Sequence, residues 1–278
     1  MSSLLIVSND PQAVQKIEQL AEANNIRARA ISALQTAREW LAMHSFDVVL
    51  IDARYSQEST LELILLAWKY QPLILAGVFS FTDQIPIEWE AKLIGARIYA
   101  PPTTLEQLQQ DFKALQGIDV SDPNKLRILL VEDLDAPREI ITTYIEGLGY
   151  PHVDGASNAF DAMKFLERKP EHYMCVVTDI NMPNKNGVQL IAEIRADDRL
   201  KHLPIIVLTA YSTAENLIEC VEAGASGFLV KPPRKRELRE ELEKAKRILI
   251  RKQDPRLCQP EDALKLEDAL SRRMSLAL

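Results

Sequence analysis

Five side chains that could do joint chemistry stand at the ends of apolar runs in the second half of the chain. Glu132 and Asp133 close Ile128-Leu129-Leu130-Val131, and Asp179 closes Val176-Val177-Thr178. Thr209 closes Pro204-Ile205-Ile206-Val207-Leu208, and Lys231, followed by Pro232, closes Gly227-Phe228-Leu229-Val230. Carboxylates are the oxygen donors that a hard divalent cation takes. A carboxylate can also attack phosphorus as a nucleophile. An ammonium is a compact charge suited to a phosphoryl oxygen. Gathered in one place, these groups would form a site for a divalent cation and a phosphoryl group.

The elements that must gather them are also legible. Short, wholly apolar runs separated by helix-length segments indicate a parallel sheet covered on both faces. In such sheets the active crevice lies outside the carboxyl ends of the strands. The expected fold is therefore α/β.

The ordered set Glu132, Asp133, Asp179, Thr209, Phe228 and Lys231 resembles the receiver domain of two-component response regulators. The loop Asp179-Ile180-Asn181-Met182-Pro183, with Gly187 beyond it, fits the same pattern. So do the spacings, thirty residues from Asp179 to Thr209 and twenty-two from Thr209 to Lys231. The resemblance implies that Asp179 is the phospho-acceptor, and that Glu132, Asp133, Asp179 and the main-chain carbonyl of Asn181 hold Mg²⁺. It further implies that Lys231 pairs with a phosphoryl oxygen, that Thr209 and Phe228 form a switch, and that the donor is a histidine kinase or histidine phosphotransfer protein. Phe228 can equally be read as a plain core aromatic, and Tyr211 either as a group tuning water access or as a surface ring.

The alternation of strands and helices occurs twice. Strands are expected at 4–7, 47–51, 72–76 and 97–99, and helices at 11–24, 34–44, 61–70 and 104–115. The reading is thus two doubly wound five-stranded parallel sheets of flavodoxin or CheY-like type in tandem, with a C-terminal helical extension. The domains are 1–120 and 121–250, and a helical tail runs over 251–278. Val7 aligns with Val131, so Ser8 and Asn9 stand where Glu132 and Asp133 stand, and Asp52 matches Asp179. Gly77 is placed against Thr209 and Ala100 against Lys231. The first copy is expected to be degenerate, with Asp52 a strand-end remnant rather than a second phosphorylation site.

Composition narrows the function. The chain has 278 residues, is 47% hydrophobic and 26% charged, and carries a net charge of −7. That balance argues against sequence-independent nucleic-acid binding, which needs a basic face. Cys175, Cys220 and Cys258 show neither zinc nor disulfide spacing. No basic leader or long apolar segment is seen, so a cytoplasmic protein with no membrane contact is expected. Leu238, Leu242, Ala245 and Leu249 step by four, three and four, a seam that could pair two helices and make a homodimer; an ordinary sheet-covering helix would show the same steps. A further helical run is expected at 261–275. The output is expected to be contact with a downstream protein, without DNA binding or enzymatic activity beyond self-phosphotransfer and autodephosphorylation. The rival readings are a Mg²⁺-dependent phosphohydrolase of the haloacid-dehalogenase type and a regulator cut short before its output domain. The first is disfavoured because Asn181 stands where those enzymes place a second acid.

Overall fold

A computed structural model describes residues 2–82, 85–115, 126–210, 214–259 and 262. The chain divides into two compact units, Met1–Ile118 and Asp119–Leu278. The linker expected at 117–125, Tyr211 and, apart from Asp262, the helical run at 261–275 lie outside the described residues.

The first unit contains β1 (Ser3–Val7), α1 (Pro11–Ala23), β2 (Arg27–Ile31), α2 (Leu34–Met43) and β3 (Val48–Asp52). It continues with α3 (Gln57–Tyr70), β4 (Leu75–Phe79), α4 (Glu88–Ile94), β5 (Arg97–Tyr99) and α5 (Thr104–Ala114). The second contains β6 (Arg127–Val131), α6 (Asp135–Glu146), β7 (Val153–Ala156), α7 (Ala159–Arg168) and β8 (Tyr173–Asp179). It ends with α8 (Gly187–Ala196), β9 (Ile205–Thr209), α9 (Ala214–Ala223), β10 (Gly227–Val230) and α10 (Lys235–Ile250). The strand orders are β2-β1-β3-β4-β5 and β7-β6-β8-β9-β10, and every pairing is parallel. Both units therefore share one doubly wound topology. Each reverses its strand order beside its first strand, which opens a crevice at the carboxyl ends there.

Each sheet is buried from both sides. In the first unit, Ala13 and Ile17 of α1 join Leu108 and Phe112 of α5 on one face, while α2, α3 and α4 cover the other. In the second, Ile141 and Ile145 of α6 and Leu238, Leu242 and Ala245 of α10 share a core with Ile128, Leu130 and Val177. All seven residues of β8 are buried, as unbroken apolar strand sequence requires. Helix starts follow local capping chemistry. The Asp10 side chain accepts from the Gln12 N–H ahead of Pro11, and Asn186 and Gln189 form a reciprocal capping box at α8.

Three expectations are corrected. β4 spans 75–79 rather than 72–76. Pro72 has no N–H to give a ladder, Ile74 N–H closes a turn onto the Gln71 carbonyl at 3.0 Å, and periodicity cannot fix a frame within an unbroken apolar run. α3 begins at Gln57, four residues before the expected start, because the polar first turn is fixed by its Ser56 cap and not by apolar spacing. The stripe Leu238/Leu242/Ala245 is no free seam. It is fully buried in the unit's own core, and Leu249 packs against it. An amphipathic helix lying on a sheet and a helix pairing with a copy of itself share this spacing. After α10, the described residues 251–259 form turns and irregular chain, and the Leu257 N–H donates to the Ala225 carbonyl at 3.0 Å. No helix among the described residues is long and apolar enough to cross a membrane.

Candidate active site

The carboxyl ends of β6, β8, β9 and β10 bring the second unit's chemical residues together. Glu132 follows β6 and is fully buried, Asp179 ends β8 at 5% exposure, and Thr209 ends β9, fully buried. Register does the placing. Asp179 pairs with Leu208, so Thr209 lies one step beyond it, and Thr209 pairs with Val230, so Lys231 follows at once. The Lys231 N–H donates to the Thr209 carbonyl at 2.8 Å. Its Nζ lies 2.5 Å from Glu132 Oε2 and 2.8 Å from Asp179 Oδ2. Phe228, 6% exposed, pairs with Val207 on the edge strand.

Among the described residues, Glu132, Asp133 and Asp179 offer carboxylate oxygens that all lie within 4.8 Å of one another. One ammonium faces this cluster. Burial pushes the Glu132 carboxyl above its ordinary range despite the pull of Lys231, and the charges of Asp179 and Asp133 push the same way. Burial works against the Lys231 ammonium, but its bonds to Asp179 and Glu132 prevail and raise it. Glu132 Oε1 is buried with no hydrogen-bond partner. A buried carboxylate oxygen without a partner is costly, and a cation or its bound water would satisfy it. The donor set is all oxygen and anionic, so the site fits Mg²⁺.

The loop after Asp179 is held by its own backbone. The Asn181 N–H donates to Asp179 Oδ1 at 3.3 Å, and the Gly187 N–H donates to the Ile180 carbonyl at 2.8 Å. A side chain at Gly187 would collide with the Asp179 carbonyl and come within 2.9 Å of Ile180 Cα. Sequence reasoning missed Arg138, which holds the Glu132 carbonyl through Nη1 at 2.6 Å; nothing in an isolated α6 sequence signals that reach.

The same position in the first unit is built differently. Val7 pairs with Ile51 and Asp52 ends β3, so Ser8, Asn9 and Asp52 do sit where Glu132, Asp133 and Asp179 sit. Asp52 pairs with Phe79, and Phe79 with Tyr99, as Asp179 pairs with Leu208 and Leu208 with Leu229. This register puts Ser80, not Gly77, at the place of Thr209, and Pro101, not Ala100, at the place of Lys231. The cis peptides Pro101–Pro102 and Lys231–Pro232 fall at this same point. Gly77 has another task. The Tyr99 ring lies against it, with Tyr99 Cδ2 3.1 Å from where a Cβ would stand. Arg54, two residues after Asp52 as Asn181 is after Asp179, was also missed. Its Nε donates to Asp52 Oδ1 at 2.9 Å and its Nη2 lies 2.5 Å from Oδ2.

A family model described as response regulator receiver domain matches residues 128–243, within the second unit. Chemotaxis protein CheY-3 of Vibrio cholerae serotype O1 is 37% identical over 119 residues, covering 43% of this chain and 90% of that protein. Chemotaxis protein CheY of Pseudomonas aeruginosa is 36% identical over 119 residues, covering 43% of this chain and 94% of that protein. Among solved structures, a putative two-component system response regulator/GGDEF domain protein aligns over 90% of this chain and 99% of its own, at 20% identity and a TM-score of 0.42.

Proposed function

The chain belongs to the response regulator receiver family, and from that premise we propose that its second unit is phosphorylated on Asp179 by a histidine kinase or histidine phosphotransfer protein. The observation that carries this reading is the meeting of three carboxylates and one ammonium at the carboxyl ends of β6, β8 and β10. An Asp179 carboxylate oxygen attacks the phosphorus of a phosphohistidine. The new P–O bond forms as the P–N bond breaks, and the imidazole leaves with the bonding pair. Glu132, Asp133, Asp179 and the Asn181 carbonyl would hold Mg²⁺, which when bound neutralises charge on the transferring oxygens. Lys231 leaves its carboxylate partners to pair with a phosphoryl oxygen, and the Thr209 hydroxyl hydrogen-bonds another.

The output is a protein–protein contact made on the face that carries Phe228. A ligand-like phosphoryl group can bias that face only through contacts that differ between its two arrangements, and Thr209 beside β10 supplies such a contact. The chemistry stops at self-phosphotransfer and autodephosphorylation, because Asn181 offers no second acid for turnover of an outside substrate. With Mg²⁺ and acetyl phosphate, the intact mass should rise by one phosphate, and Asp179→Asn should abolish the gain. Phosphate uptake that persists in Asp179→Asn would overturn the assignment.

A further inference from the structure

We propose that the first unit carries its own cation: the Arg54 guanidinium fills the place at Asp52 that a metal ion and a lysine would fill in a working acceptor, and so keeps this unit independent of metal and phosphoryl donors. A carboxylate has roughly four lone-pair sites, and at Asp52 all are used. Oδ1 accepts from the Arg54 backbone N–H at 3.0 Å and from Arg54 Nε at 2.9 Å. Oδ2 accepts from the Ser8 hydroxyl at 2.5 Å and from Arg54 Nη2 at 2.5 Å. Asp52 is 3% exposed, so water does not compete for these places. The bidentate fork is the geometry in which arginine binds a carboxylate most specifically.

The neighbouring groups are engaged as well. Asp10, the other acid within reach, gives Oδ1 to the Gln12 N–H at 2.9 Å and holds Arg54 Nη2 with Oδ2 at 3.2 Å. The Tyr55 hydroxyl donates to the Ser32 carbonyl at 2.5 Å and lies 3.1 Å from Asn9 Oδ1. Ser8 Oγ, while donating to Asp52, accepts from the Asp10 N–H at 3.0 Å. Pro101 at the lysine position offers no ammonium. The contrast with Glu132 is chemical: Lys231 holds its Oε2 while its buried Oε1 has no partner, whereas both oxygens of Asp52 are doubly engaged. Burial raises the Asp52 carboxyl, but the bonds from Arg54 and Ser8 outweigh it and hold the group below its ordinary range.

The test uses the full chain with Asp133→Asn and Asp179→Asn, so that only the first unit can respond. The free Mn²⁺ signal in electron paramagnetic resonance reads cation binding, and intact mass with acetyl phosphate reads modification. With Arg54 in place, neither the Mn²⁺ signal nor the mass should change. Replacing Arg54 by Ala or Gln should deplete the free Mn²⁺ signal, Arg54→Lys should not, and adding Asp52→Asn to Arg54→Gln should restore the signal. Mn²⁺ binding or phosphate uptake with Arg54 intact overturns the proposal whatever the variants do. So does a folded Arg54→Gln, judged by tryptophan fluorescence, that leaves the Mn²⁺ signal untouched.

Discussion

Asp179 and Asp52 end the same strand of the same fold, yet one shares an ammonium with a neighbouring acid and the other is ringed by donors of its own. Around Asp179, three carboxylates share one ammonium, and a buried oxygen of Glu132 has no partner. Around Asp52, a guanidinium, a hydroxyl and a backbone N–H fill every acceptor place. Backbone topology therefore positions an acid, and the residues one or two steps along each loop decide which partners it has. A site that must take a cation and a phosphoryl group from solution has to be left electrostatically incomplete. A site completed by its own chain is a structural ion pair.

With Asp179 left in place, the largest effect should come from removing the Lys231 ammonium. Lys231→Ala leaves Asp179 facing the incoming phosphoryl group without its charge partner, and should slow phosphate uptake roughly 10²-fold, read by intact mass over time. Pro101 already stands at that place in the first unit. Uptake in Lys231→Ala at the native rate would erase this part of the contrast.

A smaller effect is expected from Glu132→Gln. The Glu132 carboxyl is raised above its ordinary range, so its ionised form is worse off folded than unfolded. Metal-free stability should therefore decline as pH rises through the ordinary glutamate value and on through the raised one. Glu132→Gln escapes that loss. In EDTA at neutral pH it should melt higher than the parent. The gap should close below the ordinary glutamate value, and the variant should gain less from Mg²⁺. A variant that melts lower at neutral pH would mean that Lys231 alone already balances the cluster.

The smallest effect belongs to Asp52. Its carboxyl is held below the ordinary aspartate value, so its contribution is present above that value and is lost as pH falls through the lower, folded one. Arg54 is half exposed, which limits the contribution to about 1 kcal/mol or less. Trp40, Trp68 and Trp89 all lie in the first unit, so tryptophan fluorescence follows its unfolding selectively. Asp52→Asn should be less stable than the parent near neutral pH, with the difference fading in acid. A difference that does not vary with pH would point to packing rather than charge.

The residues at Asp179 were legible because each closes an unbroken apolar run, and strand ends in a parallel sheet converge. The first unit was harder to read. Its fourth strand lies in the run 72–79, where no polar residue marks a frame, and a three-residue slip moved Ser80 out of view and put Gly77 in its place. Two of its elements carry little apolar signal. β2 reads Arg-Ala-Arg-Ala-Ile and is largely exposed at the sheet edge, and α4 is seven residues long. Arg54 looked like an ordinary loop charge, since sequence does not say that a guanidinium folds back onto the acid two residues before it. The α10 stripe could be read two ways from its spacing, and only packing decided between them.

Gly187 carries no charge and touches no metal ligand through a side chain, but it sets the tolerance of the whole centre. Its missing Cβ is the space through which the Asp179–Ile180 main chain passes, and its N–H fixes the Ile180 carbonyl at 2.8 Å. The Asn181 carbonyl rides on the next peptide. A single added methyl would push the Asp179 backbone and that carbonyl aside together. The spacing of these oxygens is thus dimensioned from behind, by the depth to which one helix end can approach one strand end.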